Sequence, residues 1–297
     1  MGNEGVLSHL PHPLRTPFGA ATPVEHEVTR AIDVGGSRTP PPGTAFLDGI
    51  QRYAVVGRFG VTPVVLGYVA AAVMVRQQDA LAVGIHRSQE LIVAPLDRLS
   101  QYQRDQIQHT GIPLHDCGES ERDHPILDVQ LAAAIVARCR EGIEVRVARD
   151  YLESSDAEWL VVDGSISELI TDVPSERLLG LVKSHETQFL QGSELTTALT
   201  LPVGCRTSVF ARGSRVGATV HTWYLRLWPW EDRDLLHGLV RLERSPVAKP
   251  GPEATEISAW ILSERAPLSA PDGRWDRLIY PIRQVEAYLR TQVGGWQ

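Results

Sequence analysis

Two short stretches of the chain place a carboxylate beside a glycine after an apolar run. "AFLDGIQRY" at 45–53 sets Asp48 before Gly49, and "LVVDGSISEL" at 160–169 sets Asp163 before Gly164. One Asp-Gly pair after a strand is an ordinary turn signal. Two of them raise a chemical question, because carboxylates at the ends of neighbouring strands stand a few ångströms apart and repel. A divalent cation between them relieves that repulsion. Oxygen-only donors suit Mg2+ or Mn2+, and two such ions about 3.5 to 4 Å apart can serve the attacking water and the leaving oxygen of phosphodiester hydrolysis.

Such a centre needs a third acid and a cation for the phosphate. On a 3.6-residue period Ala133, Ala137, Arg140, Glu144, Ala148 and Tyr151 form one helical stripe, and Glu144 is its only acid. The interval from Glu144 to Asp163 leaves room for a helix to end, turn and run back as a strand. Glu141, Asp150 and Glu153 are rivals that read better as solvated surface charges. The chain has only two lysines, Lys183 and Lys249. Lys183 closes the apolar run "LLGLVKS", where it is placed to bind a scissile phosphate and offset its developing charge. Tyr280 is a candidate for orienting a phosphate or stacking on a base. His185 and His221 read as structural hydrogen bonders.

These residues need elements to hold them. Residues 1–43 read as a Pro-rich N-terminal extension with one short helix-like piece, "PVEHEVTRAID". After it, "TAFLD", "RYAVVGRF" and "TPVVLGYVAAAVMVR" are expected as three strands of an antiparallel meander. Residues 95–122 are polar and helical or irregular. Helical spacing predicts a long helix from Ile126 to about Ser154. "WLVVDG" and "LLGLVKS" follow as the fourth and fifth strands, with a short helical connection between them. "VHTWYLRLW" and "GLVRLERS" are strand-like, "TEISAWILSER" is helix or strand, and a final helix enters through Pro281.

The order of three strands, helix, strand, connection and strand is that of the ribonuclease H-like fold, an α/β architecture in which the first and fourth strands lie side by side. A mixed sheet flanked by helices is therefore expected over 44–297, with Asp48 and Asp163 adjacent. The stretch from Gln188 to Arg244 is long enough for an inserted dimerisation element.

Composition narrows the function classes. With 297 residues and 43% hydrophobic content the chain can bury one large core. The longest apolar stretch carries Pro63 and Gly67 and is too short for a spanning helix, which needs about 20 apolar residues. No signal peptide or membrane anchor is read at the N-terminus. Three scattered cysteines fit free thiols in a reducing cytoplasm. A net charge of -7 argues against a protein that coats nucleic acid electrostatically, though not against a nuclease with a confined basic groove. No "GxxxxGK[ST]" motif is present, so ATP-driven translocation has to come from another chain.

"FLDG", a helical acid, "VVDGSI", "GLVKS" and "YPIRQVEAY" together resemble the motif series of the NurA nucleases. The likeness runs from about residue 44 to the C-terminus in these short blocks. It implies a ribonuclease H-like DNA nuclease that uses manganese, forms a homodimer and docks on the hexameric HerA ATPase in DNA end processing. It also implies metal binding by Asp48, Glu144 and Asp163, with Lys183 as the lysine that follows. The family's C-terminal block ends on a histidine eight positions after its tyrosine. Here Tyr280-Pro281 and Glu286-Ala287 match, but Tyr288 stands where that histidine would be. Two alternatives stay open: a catalytically weak platform subunit for an ATPase, and another ribonuclease H-like enzyme such as a resolvase.

Overall fold

The computed structural model describes residues 19–77, 80–118, 124–156, 159–185, 187–213, 218–265 and 279–293. Ahead of the expected core lie two short strands, β1 (Ala21–Pro23) and β2 (Ala31–Asp33). They pair with later strands, so this part of the expected extension is woven into the sheet, and no helix forms in it.

The meander consists of β3 (Ala45–Phe59), β4 (Thr62–Gln77) and β5 (Ala80–Ala94). These are not the three expected segments. Asp48-Gly49 does not end a strand: the first two expected strands are one, and "ALAVGIHRSQELIVA" supplies the third. Next come α1 (Gln101–Gln108), capped by Ser100 and Gln103 in a reciprocal capping box, and β6 (Leu114–Asp116). The long helix α2 (Pro125–Ser154) starts on a proline, whose missing N–H has no partner to lose in a first turn. Beyond it are β7 (Leu160–Asp163), α3 (Leu169–Asp172), β8 (Leu178–Val182) and α4 (Gly192–Leu199). The chain continues through β9 (Cys205–Thr207), β10 (Phe210–Gly213), β11 (Thr219–Arg226) and β12 (Leu239–Arg244). It closes with α5 (Pro250–Ser263) and α6 (Tyr280–Gln292). The ambiguous "TEISAWILSER" is therefore helix through Ser263.

The strands form one mixed 12-stranded sheet in the order β1-β10-β11-β12-β8-β7-β3-β4-β5-β6, with β2 and β9 branching from β11. β3 pairs antiparallel with β4 and parallel with β7, and β7 pairs parallel with β8. This is the ribonuclease H-like arrangement, with the strand after the long helix beside the first strand of the meander. The segment from Gln188 to Arg244 adds α4 and β9–β12, which extend the same sheet.

Helices cover both faces. Phe46, Ala70 and Ala72 pack with Trp260, Ile282, Val285 and Leu289 of α5 and α6. Leu47, Val69, Ala71 and Val73 pack with Val136, Ile143 and Val147 of α2. β4 is buried on both sides, which is why "TPVVLGYVAAAVMV" reads as a continuous apolar run instead of alternating. Among the described residues no helix is long and apolar enough to cross a membrane. Cys117, Cys139 and Cys205 are free.

Candidate active site

The parallel register aligns Leu47 with Val162, so the next residues, Asp48 and Asp163, stand side by side. Side chains alternate along a strand. Asp48 therefore shares the face of Phe46, which packs toward α5 and α6, and Asp163 shares that of its cross-strand partner Leu181. At Asp163 β7 stops while β3 runs on, leaving a notch in the sheet beside Asp48. Gly164 makes the exit possible, since its φ of 127° is a conformation that a side chain disfavours.

Glu144 enters the notch from the other face, out of α2. It does so by crossing Gly49: a Cβ there would lie 2.2 Å from Glu144 Oε1 and 2.9 Å from Cγ and Cδ. Gly49 is thus an open place in the middle of a strand, not a turn. Of the rival acids on α2, Glu141 lies on the rim of the cleft beside Arg140, while Asp150 and Glu153 are not among the cleft's lining residues. Asp150 pairs with Arg87, and Glu141 and Glu153 are exposed.

Cations hold two of the three acids. Lys183, just past β8, donates from Nζ to Asp163 Oδ2 at 2.6 Å. Arg140, one turn before Glu144, bonds Glu144 Oε1 and donates from Nε to Gln51 Oε1 at 3.2 Å. The Gly49 N–H donates to Asp48 Oδ1 at 2.8 Å. Burial pushes the Asp48 carboxyl well above its usual range, and the charge of Asp163 adds to that rise. Lys183 and the Gly49 N–H oppose it, while Glu144 adds to it. Burial likewise raises Glu144 to about 7 against the pull of Arg140, with Asp163 pushing it further up. Both shifts are those of acids crowded together out of water.

The donor set suits a hard divalent cation, and Asp163 Oδ1 is buried with no hydrogen-bond partner. Among the described residues, however, no three Asp, Glu, His or Cys side chains converge closely enough to cage an ion. Glu144 is bonded to Arg140, and one oxygen of Asp163 to Lys183. Asp48 and Asp163 stand as an adjacent pair of oxygen donors, with Glu144 bonded to Arg140 beside them.

Next to the acids a cleft of about 540 Å³ opens between α2 and the chain after β7. Its walls include Arg140, Glu144, Asp163, Gly164, Ser165 and Ser167. The far wall is fixed by Glu243 of β12, which is fully buried. Its carboxylate accepts from Ser165 Oγ at 2.8 Å and Ile166 N–H at 3.1 Å, and it is paired with Arg212 and Arg241.

No protein-family model matches the chain, and no curated protein matches it. Solved structures similar to it include the following two. One is the crystal structure of the NurA nuclease from Sulfolobus solfataricus, 10% identical, covering 94% of this chain and 90% of that one, with a TM-score of 0.49. The other is the catalytic domain of human Endonuclease V, 12% identical over 85% and 84% of the two chains, with a TM-score of 0.34.

Tyr280 opens α6. Its N–H donates to Glu264 O at 2.7 Å, and Glu264 is ion-paired with Arg76, whose own N–H bonds Thr44 O, four residues before Asp48. The Tyr280 hydroxyl accepts from Gln284. Tyr288 sits farther along α6, edge-on to His86 with ring centres 5.6 Å apart. His86 pairs with Ala72, and Ala72 with Asp48, so this contact is level with the carboxylates two strands away. His185 Nε2 is bonded to Leu239 O, and His221 Nδ1 accepts from Val247 N–H; both fill the structural role expected of them.

Sequence reasoning passed over Arg140, Gln51 and Glu243. Arg140 stood on the acid's own stripe at an i,i+4 spacing that signals an ion pair. Glu243 gave no such signal, because "RLER" at 241–244 has the look of an exposed strand face.

Proposed function

We propose that the chain is a divalent-metal-dependent DNA nuclease whose site is carried by Asp48, Glu144, Asp163 and Lys183, within residues 44–297. The observation that carries this is the pairing of Asp48 and Asp163 at the notch between β3 and β7, with a buried, unbonded Oδ1 on the second. Mn2+ or Mg2+ bound there would supply an activated water and neutralise charge on the leaving oxygen. Asp48 and Asp163 hold the centre, and Glu144 completes it over Gly49. Lys183, beside Asp163, donates to the scissile phosphate. The Arg212-Glu243-Arg241 group keeps the wall of the cleft in place while a strand lies in it.

The motif series extends the proposal to a cytoplasmic homodimer that works with a HerA-like hexameric ATPase in DNA end processing or anti-phage defence. The lack of a phosphate-binding ATPase loop in this sequence fits a motor supplied by another chain. Tyr280 orients a phosphate or stacks on a base of a strand that runs along α6 toward the start of β3.

The experiment is hydrolysis of linear DNA by purified protein, alone and with the ATPase, in Mn2+ or in EDTA. Cleavage in Mn2+ is expected to vanish in EDTA, and Asp48→Asn and Asp163→Asn are each expected to lower it by at least about a hundredfold. Full activity in either variant would remove these carboxylates from the centre. Mn2+ binding without cleavage of any DNA would favour the platform-subunit alternative.

A further inference from the structure

Arg140 has no part in the carboxylate chemistry, yet it stands in the middle of it. Its guanidinium reaches Glu144 Oε1, Gln51 Oε1 and, at 3.8 Å, Glu141 Oε1, and it lines the same cleft as Asp163 and Ser165. About a quarter of the side chain, 27%, remains open to solvent. The pair is largely out of water, with the Arg140 side chain 27% and the Glu144 side chain 15% exposed, so each group gives up the other only for a partner that meets its charge, a divalent cation for the carboxylate and a phosphate for the guanidinium. A planar guanidinium is also the side chain best shaped to take two oxygens of a phosphate at once.

We infer that Arg140 is a substrate-positioning residue that takes the non-bridging oxygens of a DNA phosphate in the cleft, and that Glu144 holds it until a divalent cation claims that carboxylate. The inference rests on the nuclease proposal. One exchange then serves two ends: Glu144 turns to the ion, and the freed guanidinium turns to the strand. Lys183 on Asp163 does not duplicate it, since a compact ammonium lacks the planar fork.

The exchange predicts opposite effects from one substitution. Removing the guanidinium unmasks Glu144, so the cation should bind more tightly. It also removes the phosphate contact, so DNA should bind more weakly. A merely structural ion pair would leave KM for DNA unchanged, whatever it did to the cation. The test uses the full chain as wild type, Arg140→Gln and Arg140→Lys, with Mn2+ affinity from titration calorimetry and KM and kcat on linear duplex DNA. For Arg140→Gln, Mn2+ is expected to bind several-fold more tightly and KM to rise about tenfold with kcat nearly unchanged. Arg140→Lys should fall between, keeping the charge without the fork. Unchanged values, or a change in only one of the two quantities, would overturn the inference while leaving the metal centre standing. If the wild type itself takes up no Mn2+, the nuclease proposal falls first and Arg140's role falls with it.

Discussion

Gly49 shows how much of the site hangs on a single missing methyl group. A Cβ at that position would sit 2.2 Å from Glu144 Oε1, well inside contact distance, and Gly49 is in the middle of β3 where the backbone has no slack. Gly49→Ala should therefore push Glu144 out of the notch, at a cost of about 1–3 kcal/mol in stability from overpacking. Nuclease activity should fall by at least about tenfold, because the third acid no longer faces Asp163. Parallel thermal melts and Mn2+-dependent rates would check this. A variant that keeps wild-type rates would mean that Glu144 is not needed in the centre. The sequence placed Asp48 beside Asp163, as the register does, and suggested the wrong reason for the glycine at 49. Asp-Gly is a turn signal, and nothing local distinguishes a turn from a strand crossed by a helix side chain. By contrast the closeness of Asp48, Glu144, Asp163 and Lys183 was legible, because the order of elements puts the strand after the long helix beside the first strand and Glu144 faces the sheet on the helix stripe.

Among the elements, the most legible were those whose patterns are set by burial. The long helix and the strands at 160–163 and 178–182 fall within a few residues of the expected spans. β5 was missed because its first half is mostly exposed and carries Gly84, His86 and Arg87, leaving no alternation to read. β12 lies where "GLVRLERS" is strand-like, but nothing in the run signals that its charged residues are buried against one another. Burial alone would raise the pKa of Glu243, but Arg241 and Arg212 outweigh it and hold the carboxyl below its usual value. An acid whose pKa is lowered on folding adds stability above its unfolded pKa, about 4.3, and loses it as pH falls through the lower folded value. Glu243→Gln should leave two buried guanidiniums without a counter-ion, at a cost of about 3–5 kcal/mol near pH 7. The loop that Glu243 holds at Ser165 and Ile166 should loosen too. In melts from pH 7 to 3 the gap between variant and wild type should narrow below about pH 4.3. Equal melting temperatures at pH 7 would show that the cluster is not supporting the cleft.

At the scale of the whole molecule, the long meander raises a problem that the domain does not solve by itself. β7 pairs with β3 only through Leu47, and among the described residues no strand pairs with β3 on that side from Asp48 to Phe59. Tyr53 and Val56 along this run are 46% and 56% exposed. An unpaired strand edge with exposed apolar residues invites pairing with another chain unless it is blunted or covered. The charges here, Arg52 and Arg58, stand toward its ends and leave the stretch from Tyr53 to Val56 without one. If the chain is the proposed homodimer, this edge is a surface on which a second copy can extend the sheet, antiparallel about a twofold axis near Ala54. Light scattering at micromolar concentration should then give a mass near twice 32.7 kDa. The double substitution Val55→Lys and Val56→Lys crowds added positive charge from both copies beside that axis and should yield a folded monomer, as edge lysines do in natural sheets. Far-UV circular dichroism would separate dissociation from unfolding. A wild-type monomer would end the dimer proposal, whereas a double variant that stays dimeric would move the interface away from β3, leaving the notch at Asp48 open to DNA from that side.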